Sequence, residues 1–280
     1  MRFLSGQHGV RDVFGAVGDN GLHDLSASGA WADLSHVLAT TDLAVIGAAV
    51  AAAPVLPLAE VAIGLPIPNP KRILCVGLNY HDHRAESAAK VTSEHPTFFT
   101  RFVSSLVPAG VALERPKASD VFDYEGELAV VIGRPGRAIP VTDAMDHVGA
   151  YACFMDGSIR DYQRHSSQFT AGKNFERSGS FGPVLVTPDE VDLSAAELRT
   201  TVNGEEVQHA PLKDMIHSVA ELIAYASIWT ALEPGDVIAT GTPGGVGYAR
   251  TPPLLLRPGD TVEVTIGGVG TLTNPVIAEP

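Results

Sequence analysis

The chain has 280 residues, of which 45% are hydrophobic and 18% are charged, with 28 glycines, 20 prolines and a formal net charge of −13. This composition excludes an intrinsically disordered chain and a collagen, and it disfavours a helical bundle because glycine and proline interrupt helices. The acidic balance disfavours a nucleic-acid partner, which needs a basic face to displace counterions from phosphates.

The start of the chain and its apolar stretches give no sign of export or membrane insertion. The first residues, MRFLSGQHGV, lack the apolar core of a signal peptide. The longest uncharged stretch, between Asp42 and Glu60, is interrupted by prolines and is expected to be loop and packed surface. Cys75 and Cys153 lie in separate apolar runs, as buried thiols do in a reducing compartment. We therefore expect a cytoplasmic protein with no membrane partner.

Residues 1–68 differ in composition from the rest of the chain, because they are rich in alanine and leucine and poor in acidic clusters. Pro66, Pro68 and Pro70 close this segment, and such a cluster stiffens a connector. We predict a small N-terminal domain over residues 1–68 and a main domain over residues 69–280.

Strand and turn patterns dominate the main domain. Apolar runs at 73–78 and 128–133 are typical of buried strands, and residues 261–266 alternate strictly between polar and β-branched apolar side chains. Asn203-Gly204 between two extended runs predicts a hairpin, and Ser218 opens a capping-box pattern that predicts a helix. Strands and helices do not alternate regularly, which favours an α+β fold with a mixed sheet over a doubly wound one.

The segment after the first strand of the main domain carries a histidine and a glutamate at helical spacing. The pattern turns polar and then alanine-rich, as at a strand-to-helix junction, so His83 and Glu86 would be i,i+3 neighbours. A carboxylate beside an imidazole fixes its tautomer, as a general base requires. The alternative is a surface helix on which both side chains meet only solvent.

Acidic residues cluster where the run 128–133 begins. Glu125 and Glu127 would share one face of a strand, where two carboxylates repel unless they are protonated, solvated or bridged by a cation. A third acid follows another apolar stretch, and the residues alone leave open whether it is Asp156 or Asp161, one of which is expected to pair with Arg160. Three carboxylates suit Mg²⁺, Mn²⁺ or Ca²⁺, whereas a structural zinc site lacks its Cys and His ligands.

Two later segments are weaker candidates. Lys173 in isolation is typical of a solvated lysine, and the glycine-rich loop 241–247 could present backbone N–H groups to an anion. The loop lacks the residues of a P-loop and the spacing of a dinucleotide fingerprint, and no nucleophile elbow of a serine hydrolase is present.

Taken together, these motifs resemble the fumarylacetoacetate hydrolase family. The resemblance covers about residues 72–280, and its pieces occur in the family's order. They are Gly77-Leu78-Asn79-Tyr80 with His83 and Glu86, Asp123 to Glu127, Asp156 to Gln163, Gly172-Lys173-Asn174-Phe175, Gly241 to Gly247, and Gly270 to Val276.

The resemblance implies a mixed β-sheet roll or sandwich with flanking helices, a homodimer, and Mg²⁺ or Mn²⁺ (Ca²⁺ in vitro) held by three acids. It assigns the acids as Glu125, Glu127 and Asp156, and it assigns His83 and Glu86 as a dyad that activates water on a segment ordering over the substrate. Lys173 would polarise a substrate oxygen, and the positions near the substrate would be Arg160, Gln163 and Thr242. This chain departs from the common family pattern around Asp156 and at Arg101-Phe102, where many members have Lys-Pro, which leaves the pocket specificity open.

The resulting functional hypothesis is metal-dependent hydrolysis of a carbon–carbon bond in a β-diketone or acylpyruvate-type 2-oxo acid. The alternative is decarboxylation or tautomerisation of an oxaloacetate-like or 2-oxo-dienedioate acid, which would proceed through the same enolate without water. A third hypothesis, from a different class, is a non-catalytic binding module stabilised by a cation.

Overall fold

Strands provide most of the regular structure in this computed structural model, which describes residues 1–40, 42–86 and 94–280. The strands are β1 Arg2–His8, β2 Arg11–Gly18, β3 Gly21–Asp24, β4 Val55–Leu56, β5 Val61–Ile63, β6 Ile73–Gly77, β7 Thr97–Thr100, β8 Leu106–Val107, β9 Leu113–Arg115, β10 Phe122–Asp123, β11 Gly126–Ile132, β12 Val148–Met155, β13 Ser158–Ile159, β14 Gly179–Val186, β15 Glu197–Val202, β16 Glu205–Pro211, β17 Val237–Ala239, β18 Thr261–Ile266 and β19 Gly270–Ala278. The helices are α1 Leu34–Leu38, α2 Leu43–Ala52, α3 His81–Glu86, α4 Arg160–Gln163, α5 Thr170–Lys173 and α6 Val219–Trp229.

The described strands form two main sheets and a two-stranded pair of β10 and β13. The larger sheet has twelve strands, with the order β4-β3-β2-β1-β14-β12-β11-β17-β6-β7 and with β5 and β8 added to β1 and β14. The smaller sheet has five strands in the order β16-β15-β18-β19-β9. Both sheets mix parallel and antiparallel pairs, so the predicted α+β fold with mixed sheets is confirmed.

Strand β11 shows how the sheets pack, because it is buried along its whole length. Leu128, Val130 and Ile132 join a core formed with the smaller sheet and helix α6. Ala129 and Val131 point the other way, into a second core shared with α1, α2 and β1. A strand buried on both faces is a continuous apolar run, which is the pattern that predicted it.

The N-terminal strands are continuous with the rest of the larger sheet. Strand β1 pairs antiparallel with β14, and Phe3 lies opposite Leu185 in the register. Phe3 and Leu185 also belong to one core. The division at residue 68 therefore stays a prediction.

Several local predictions are confirmed. Residues 261–266 form β18 with its apolar positions buried, and Asn203-Gly204 joins β15 to β16 with φ angles of +54° and +83°, as a type I′ hairpin turn requires. Helix α6 begins with the complete Ser218–Glu221 capping box. Both cysteines are buried and free.

The expectation of loop between Asp42 and Glu60 is wrong for its first half. Helix α2 occupies Leu43–Ala52, and the Asp42 side chain accepts a hydrogen bond from the Ala44 N–H. This N-cap and the alanine-rich sequence favour a helix. No helix of the described residues has the length and apolar character needed to cross a membrane.

Candidate active site

The acidic cluster is assembled by the hairpin of β11 and β12. Glu125 directly precedes β11, Glu127 is the second residue of β11, and Asp156 follows the last residue of β12. Because the strands are antiparallel, that end of β12 lies beside the start of β11, and the Asp156 N–H donates to the Glu125 carbonyl at 2.8 Å. One carboxylate oxygen from each of the three acids lies within 4.8 Å of the others, and all three side chains are buried.

The strand carrying the first two acids is pressed against the smaller sheet at Gly126. A Cβ atom at this position would lie 2.1 Å from Thr200 Oγ1 and 3.2 Å from a methyl of Val264. The absence of a side chain at Gly126 thus permits the close approach of the smaller sheet.

Two buried cations pair with Asp156. Lys173 Nζ donates to Glu125 Oε2 and to Asp156 Oδ2, each at 2.6 Å. Arg101 Nη1 donates to Asp156 Oδ1 at 2.5 Å and to the Gly157 carbonyl at 2.9 Å. Lys173 is only 1% exposed, so the interpretation of a solvated lysine is wrong, and its charge is satisfied by the acids.

Arg160 does not pair with Asp156 or Asp161, contrary to the expectation. Its Nε donates to Asp123 Oδ2 at 2.8 Å, and its Nη1 donates to Glu125 Oε1 at 2.6 Å and to Gln163 Oε1 at 3.0 Å. The pairing differs because Arg101 and Lys173 already occupy both oxygens of Asp156. Asp161 accepts from the Ser119 hydroxyl at 2.8 Å and is no part of the acidic cluster, so the structure selects Asp156 as the third acid.

The His83–Glu86 pair lies on helix α3 at the edge of this cluster. His83 is 8% exposed, with Nδ1 3.8 Å from Glu86 Oε2 and Nε2 4.0 Å from Glu125 Oε1. These are ion-pair contacts beyond hydrogen-bond range. Nδ1 is buried and has no hydrogen-bond partner among the described residues, so no such bond fixes the orientation of the ring. The segment predicted to order over substrate continues into residues 87–93, which lie outside the described residues.

The N–H groups of the glycine-rich loop donate hydrogen bonds to side-chain carboxylates of the protein itself. Its N–H groups at Gly241, Gly245 and Gly247 donate to Glu127, Glu86 and Asp123 respectively, at 2.7–2.8 Å. The backbone N–H groups that the sequence suggested for an anion therefore hold carboxylates of the site.

Thr242 is tied into the same framework. Its hydroxyl donates to the Gly126 carbonyl at 2.9 Å and accepts from Gln208 Nε2 at 2.8 Å. Gln208 Oε1 in turn accepts from the Gly126 N–H at 3.0 Å. The backbone between the two glutamates is thus held from both sides.

Electrostatics differ strongly between the two glutamates. Burial disfavours the ionised form of Glu125, but Lys173 and Arg160 outweigh burial and hold its pKa well below the usual range. Burial raises the pKa of Glu127 well above its usual value, and the charges of Asp156 and Glu125 add to this effect. Burial also opposes ionisation of Glu86, yet His83 and the Gly245 N–H leave its pKa lowered. The cluster therefore favours an additional positive charge near Glu127.

One cavity of about 250 Å³ opens onto the cluster. This volume lies below the range of roughly 300–1,000 Å³ for drug-sized ligands, so the cavity favours a small molecule. Asp156 does not line it, but every other predicted site residue does, namely His83, Glu86, Glu125, Glu127, Arg160, Gln163, Lys173 and Thr242.

The donor set fits a hard divalent cation. The three acids offer only oxygen atoms, they lie within ligand range of one another, and Mg²⁺, Mn²⁺ and Ca²⁺ prefer such ligands. The like charges brought together in a buried place give a physical reason for a cation to bind there.

Sequence reasoning missed three residues that hold the site. Arg101 was noted only as a departure from the family pattern, Asp123 only as part of a motif, and Gln208 not at all. An arginine directly after the apolar strand β7 was a usable signal, because a buried arginine requires an acidic partner. The role of Gln208 depends on packing between the sheets, and no local pattern reveals it.

The comparisons with known proteins agree with this arrangement. The family model for the C-terminal domain of fumarylacetoacetate (FAA) hydrolase matches residues 72–277. The chain belongs to the fumarylacetoacetate hydrolase family. Within this family, curated relatives include an oxaloacetate tautomerase of Bacillus subtilis, 42% identical over 78% of this chain and 74% of the relative. A mitochondrial oxaloacetate tautomerase of Xenopus laevis is 41% identical over 78% of this chain and 69% of the relative.

A solved structure links the same fold to a cation and a 2-oxo acid. Maleylpyruvate hydrolase from Sphingobium sp. SYK-6, in complex with manganese(II) and pyruvate, has a TM-score of 0.84 and 27% identity over the full length of both chains. Family membership supports an enzyme that acts on a small molecule, and it favours that interpretation over the hypothesis of a non-catalytic module.

Proposed function

We propose that the protein is a divalent-cation-dependent tautomerase that interconverts the enol and keto forms of oxaloacetate or a similar 2-oxo acid. The observation that carries the proposal is the buried set of Glu125, Glu127 and Asp156, of which the two glutamates line a small cavity beside His83. The names of the two curated relatives favour tautomerisation over the hydrolysis that we first expected.

Glu125, Glu127 and Asp156 would hold the cation, Mg²⁺ or Mn²⁺. When bound, such an ion supplies a Lewis acid for the 2-oxo group, which makes the neighbouring carbon more acidic. Lys173 and Arg160 lie beside these acids. Their positive charges would also stabilise the negative charge that develops on the substrate when the proton leaves that carbon.

His83 is the proposed acid–base residue. For the keto-to-enol direction, the neutral imidazole would take a proton from C3 of the substrate, and the imidazolium would then give it to the 2-oxo oxygen. In the reverse direction the imidazole would take the proton of the enol hydroxyl and give it to C3, so the ring ends neutral in both cases. Glu86 would orient the ring, and the Gly245 N–H holds Glu86 in turn. No water is consumed, and no carbon–carbon bond is broken.

The test is a product assay of the purified protein with enol-oxaloacetate and a panel of acylpyruvates. With Mg²⁺ or Mn²⁺ we expect the ultraviolet absorbance of the enol to fall faster than in a protein-free control. EDTA should remove this acceleration, and so should the Glu125→Gln variant. A matched surface variant, Glu205→Gln, should behave as the wild type. Wild-type protein that does not accelerate ketonisation would overturn the proposal.

Hydrolysis remains the second candidate, since a solved neighbour of this fold is a maleylpyruvate hydrolase and the His83–Glu86 pair could also activate water. The same panel separates the reactions. Hydrolysis yields two acids from an acylpyruvate, decarboxylation releases CO₂ from oxaloacetate, and tautomerisation yields neither.

Metal choice and assembly are further parts of the proposal. Binding at 100 times the dissociation constant contributes about 2.7 kcal/mol to folding stability, so a titration of Mg²⁺ and Mn²⁺ followed by thermal unfolding ranks the two ions. A homodimer and a cytoplasmic location stay predictions; light scattering of the purified protein tests the first, and localisation of a fluorescent fusion tests the second.

A further inference from the structure

We propose that Arg164 recognises a second carboxylate on the substrate and so selects dicarboxylic 2-oxo acids over acids with an uncharged distal end. The inference deepens the proposed function and rests on it. Arg164 follows helix α4 directly, next to Gln163, and lines the same cavity as the acidic cluster.

The side chain of Arg164 is held in a defined position by Tyr248. Its guanidinium carbon lies 4.2 Å from the centre of the tyrosine ring, and its Nη1 donates to the tyrosine hydroxyl at 2.7 Å. Stacking and a hydrogen bond together restrain an otherwise mobile side chain, which reduces the entropy lost when a ligand binds. Tyr248 also lines the cavity.

Arg164 differs from the other cations of the site in its partners. Arg160 pairs with Asp123 and Glu125, and Lys173 pairs with Glu125 and Asp156. Within residues 1–40, 42–86 and 94–280, no carboxylate forms an ion pair with Arg164, whose side chain contacts Tyr248. Of the three described lysine and arginine side chains in the cavity wall, Arg164 is therefore the one without a carboxylate partner, and it can bind an external anion.

The position of Arg164 fits the distal end of a short substrate. Arg164 is exposed, whereas Glu125 and Glu127 are buried, so the wall of the cavity carries two buried glutamates and an exposed arginine. Part of the wall is apolar, formed by Val76, Phe99, Phe169 and Val246 among others. A substrate with its 2-oxo acid end at the acidic cluster would therefore find a partner for a second carboxylate at Arg164.

The test compares oxaloacetate with its 4-methyl ester, in which the distal carboxylate is replaced by a neutral ester. For the wild type we expect kcat/KM to be higher for the diacid. Arg164→Met should lower kcat/KM for the diacid about tenfold, mainly through KM, because a charge-assisted hydrogen bond is lost. The effect on the ester should be much smaller. Arg164→Lys keeps the charge and should restore part of the preference.

Controls separate charge recognition from structural damage. Arg199→Met removes an exposed arginine of the smaller sheet and should leave both substrates unaffected. Tyr248→Phe removes the hydroxyl that orients Arg164 and should reduce the preference for the diacid less than Arg164→Met does. An equal loss for diacid and ester in Arg164→Met would overturn the proposal.

The outcome can be distinguished from a failure of the proposed function. If wild-type protein turns over neither compound, the tautomerase proposal fails, and calorimetric binding of both compounds to the Mn²⁺-loaded protein then tests Arg164. Selective weakening of diacid binding in Arg164→Met would support the recognition role, and unchanged diacid binding would overturn it.

Discussion

At the scale of single residues, the ring of His83 decides how the site could move a proton. One of its nitrogens is buried without a hydrogen-bond partner among the described residues, and the other faces Glu125 at 4.0 Å. An imidazole in this position can exchange protons with a ligand that enters the cavity. Its contribution can be measured separately from cation binding, because it is not one of the three clustered acids.

His83→Asn should lower kcat for enol–keto conversion by about 10²–10⁴-fold, which is the usual contribution of a general acid–base group. Calorimetric titration should show Mn²⁺ binding close to that of the wild type. His81→Asn, on the exposed side of the same helix, is the matched control and should retain activity. Wild-type turnover in His83→Asn would contradict the assignment.

Arg101 is a residue whose importance lies in stability. Besides Asp156, it contacts Ser105 at 3.1 Å and Ser178 at 2.8 Å, and its side chain is wholly buried. Removing one partner of a buried ion pair leaves an uncompensated charge, which costs several kcal/mol.

Arg101→Met should therefore lower the free energy of unfolding by about 3 kcal/mol, at the lower end of the range for broken buried pairs because Lys173 still contacts Asp156. Urea denaturation in EDTA measures this loss. Arg101→Lys keeps a cation, so its free energy of unfolding should lie between those of the wild type and Arg101→Met. An unchanged urea midpoint in Arg101→Met would mean that Asp156 does not depend on this contact.

At the scale of elements, the site depends on the close contact between β11 and the smaller sheet. Gly126→Ala places a Cβ against Thr200 Oγ1, a buried hydroxyl that cannot move freely. Overpacking of this kind costs about 1–3 kcal/mol. Thr200→Ala alone should cost less, and the double variant should recover part of the loss. Additive losses in this double-mutant cycle would show that the two residues do not compete for the same space.

Elements with a local cause were predictable from the sequence. The capping box of α6, the Asn203-Gly204 turn and the alternation of β18 depend on neighbours in the chain, and each is present. Helix α2 was not predicted because Pro54 and Pro57 favour a loop, but both prolines follow the helix, which begins at its N-cap Asp42. The pairing partners of Arg160 were also not predicted. They depend on the tertiary packing that places Arg101 and Lys173 against Asp156, and the spacing of residues in the sequence does not encode that packing.

The proximity of two of the three acids could likewise be predicted from local spacing in the sequence. Glu125 and Glu127 stand two residues apart on a strand, so their proximity is local, whereas Asp156 was placed with them by resemblance to the family. The hairpin register explains the placement physically, because Gly126 lies opposite Met155. Gln208 and Arg101 approach from other elements, at 82 and 55 residues from their partners in the cluster.

At the scale of the whole molecule, the two parts of the chain share one sheet. The pairing of β1 with β14 and the common core of Phe3 and Leu185 make the N-terminal segment a structural support for the strands that carry the site. Strand β14 also pairs with β12, whose end carries Asp156. The N-terminal segment therefore lies only two strands away from the acidic cluster, although none of its described residues lines the cavity.

The buried charges of the site do not balance. Among the described residues, four carboxylates (Asp123, Glu125, Glu127 and Asp156) contact one another or three buried cations (Arg101, Arg160 and Lys173), so one negative charge is in excess when all are ionised. Glu127 is the member of this set with no cationic side chain in ion-pair contact; it accepts a backbone hydrogen bond from Gly241.

The excess negative charge would favour cation binding but lower the stability of the fold without a cation. Glu127→Gln removes the excess charge and keeps an oxygen for the Gly241 N–H, so the variant should unfold at a higher temperature than the wild type in EDTA, with a gain of about 1 kcal/mol. Glu125→Gln, two residues away, breaks contacts with Lys173 and Arg160 and should unfold at a lower temperature. Both variants should lose cation-dependent turnover. A destabilised Glu127→Gln would show that the cluster is already balanced without a cation. The pair of strands β11 and β12 would provide the catalytic acids of this protein. Selection for folding stability alone would therefore replace Glu127 on β11 by glutamine.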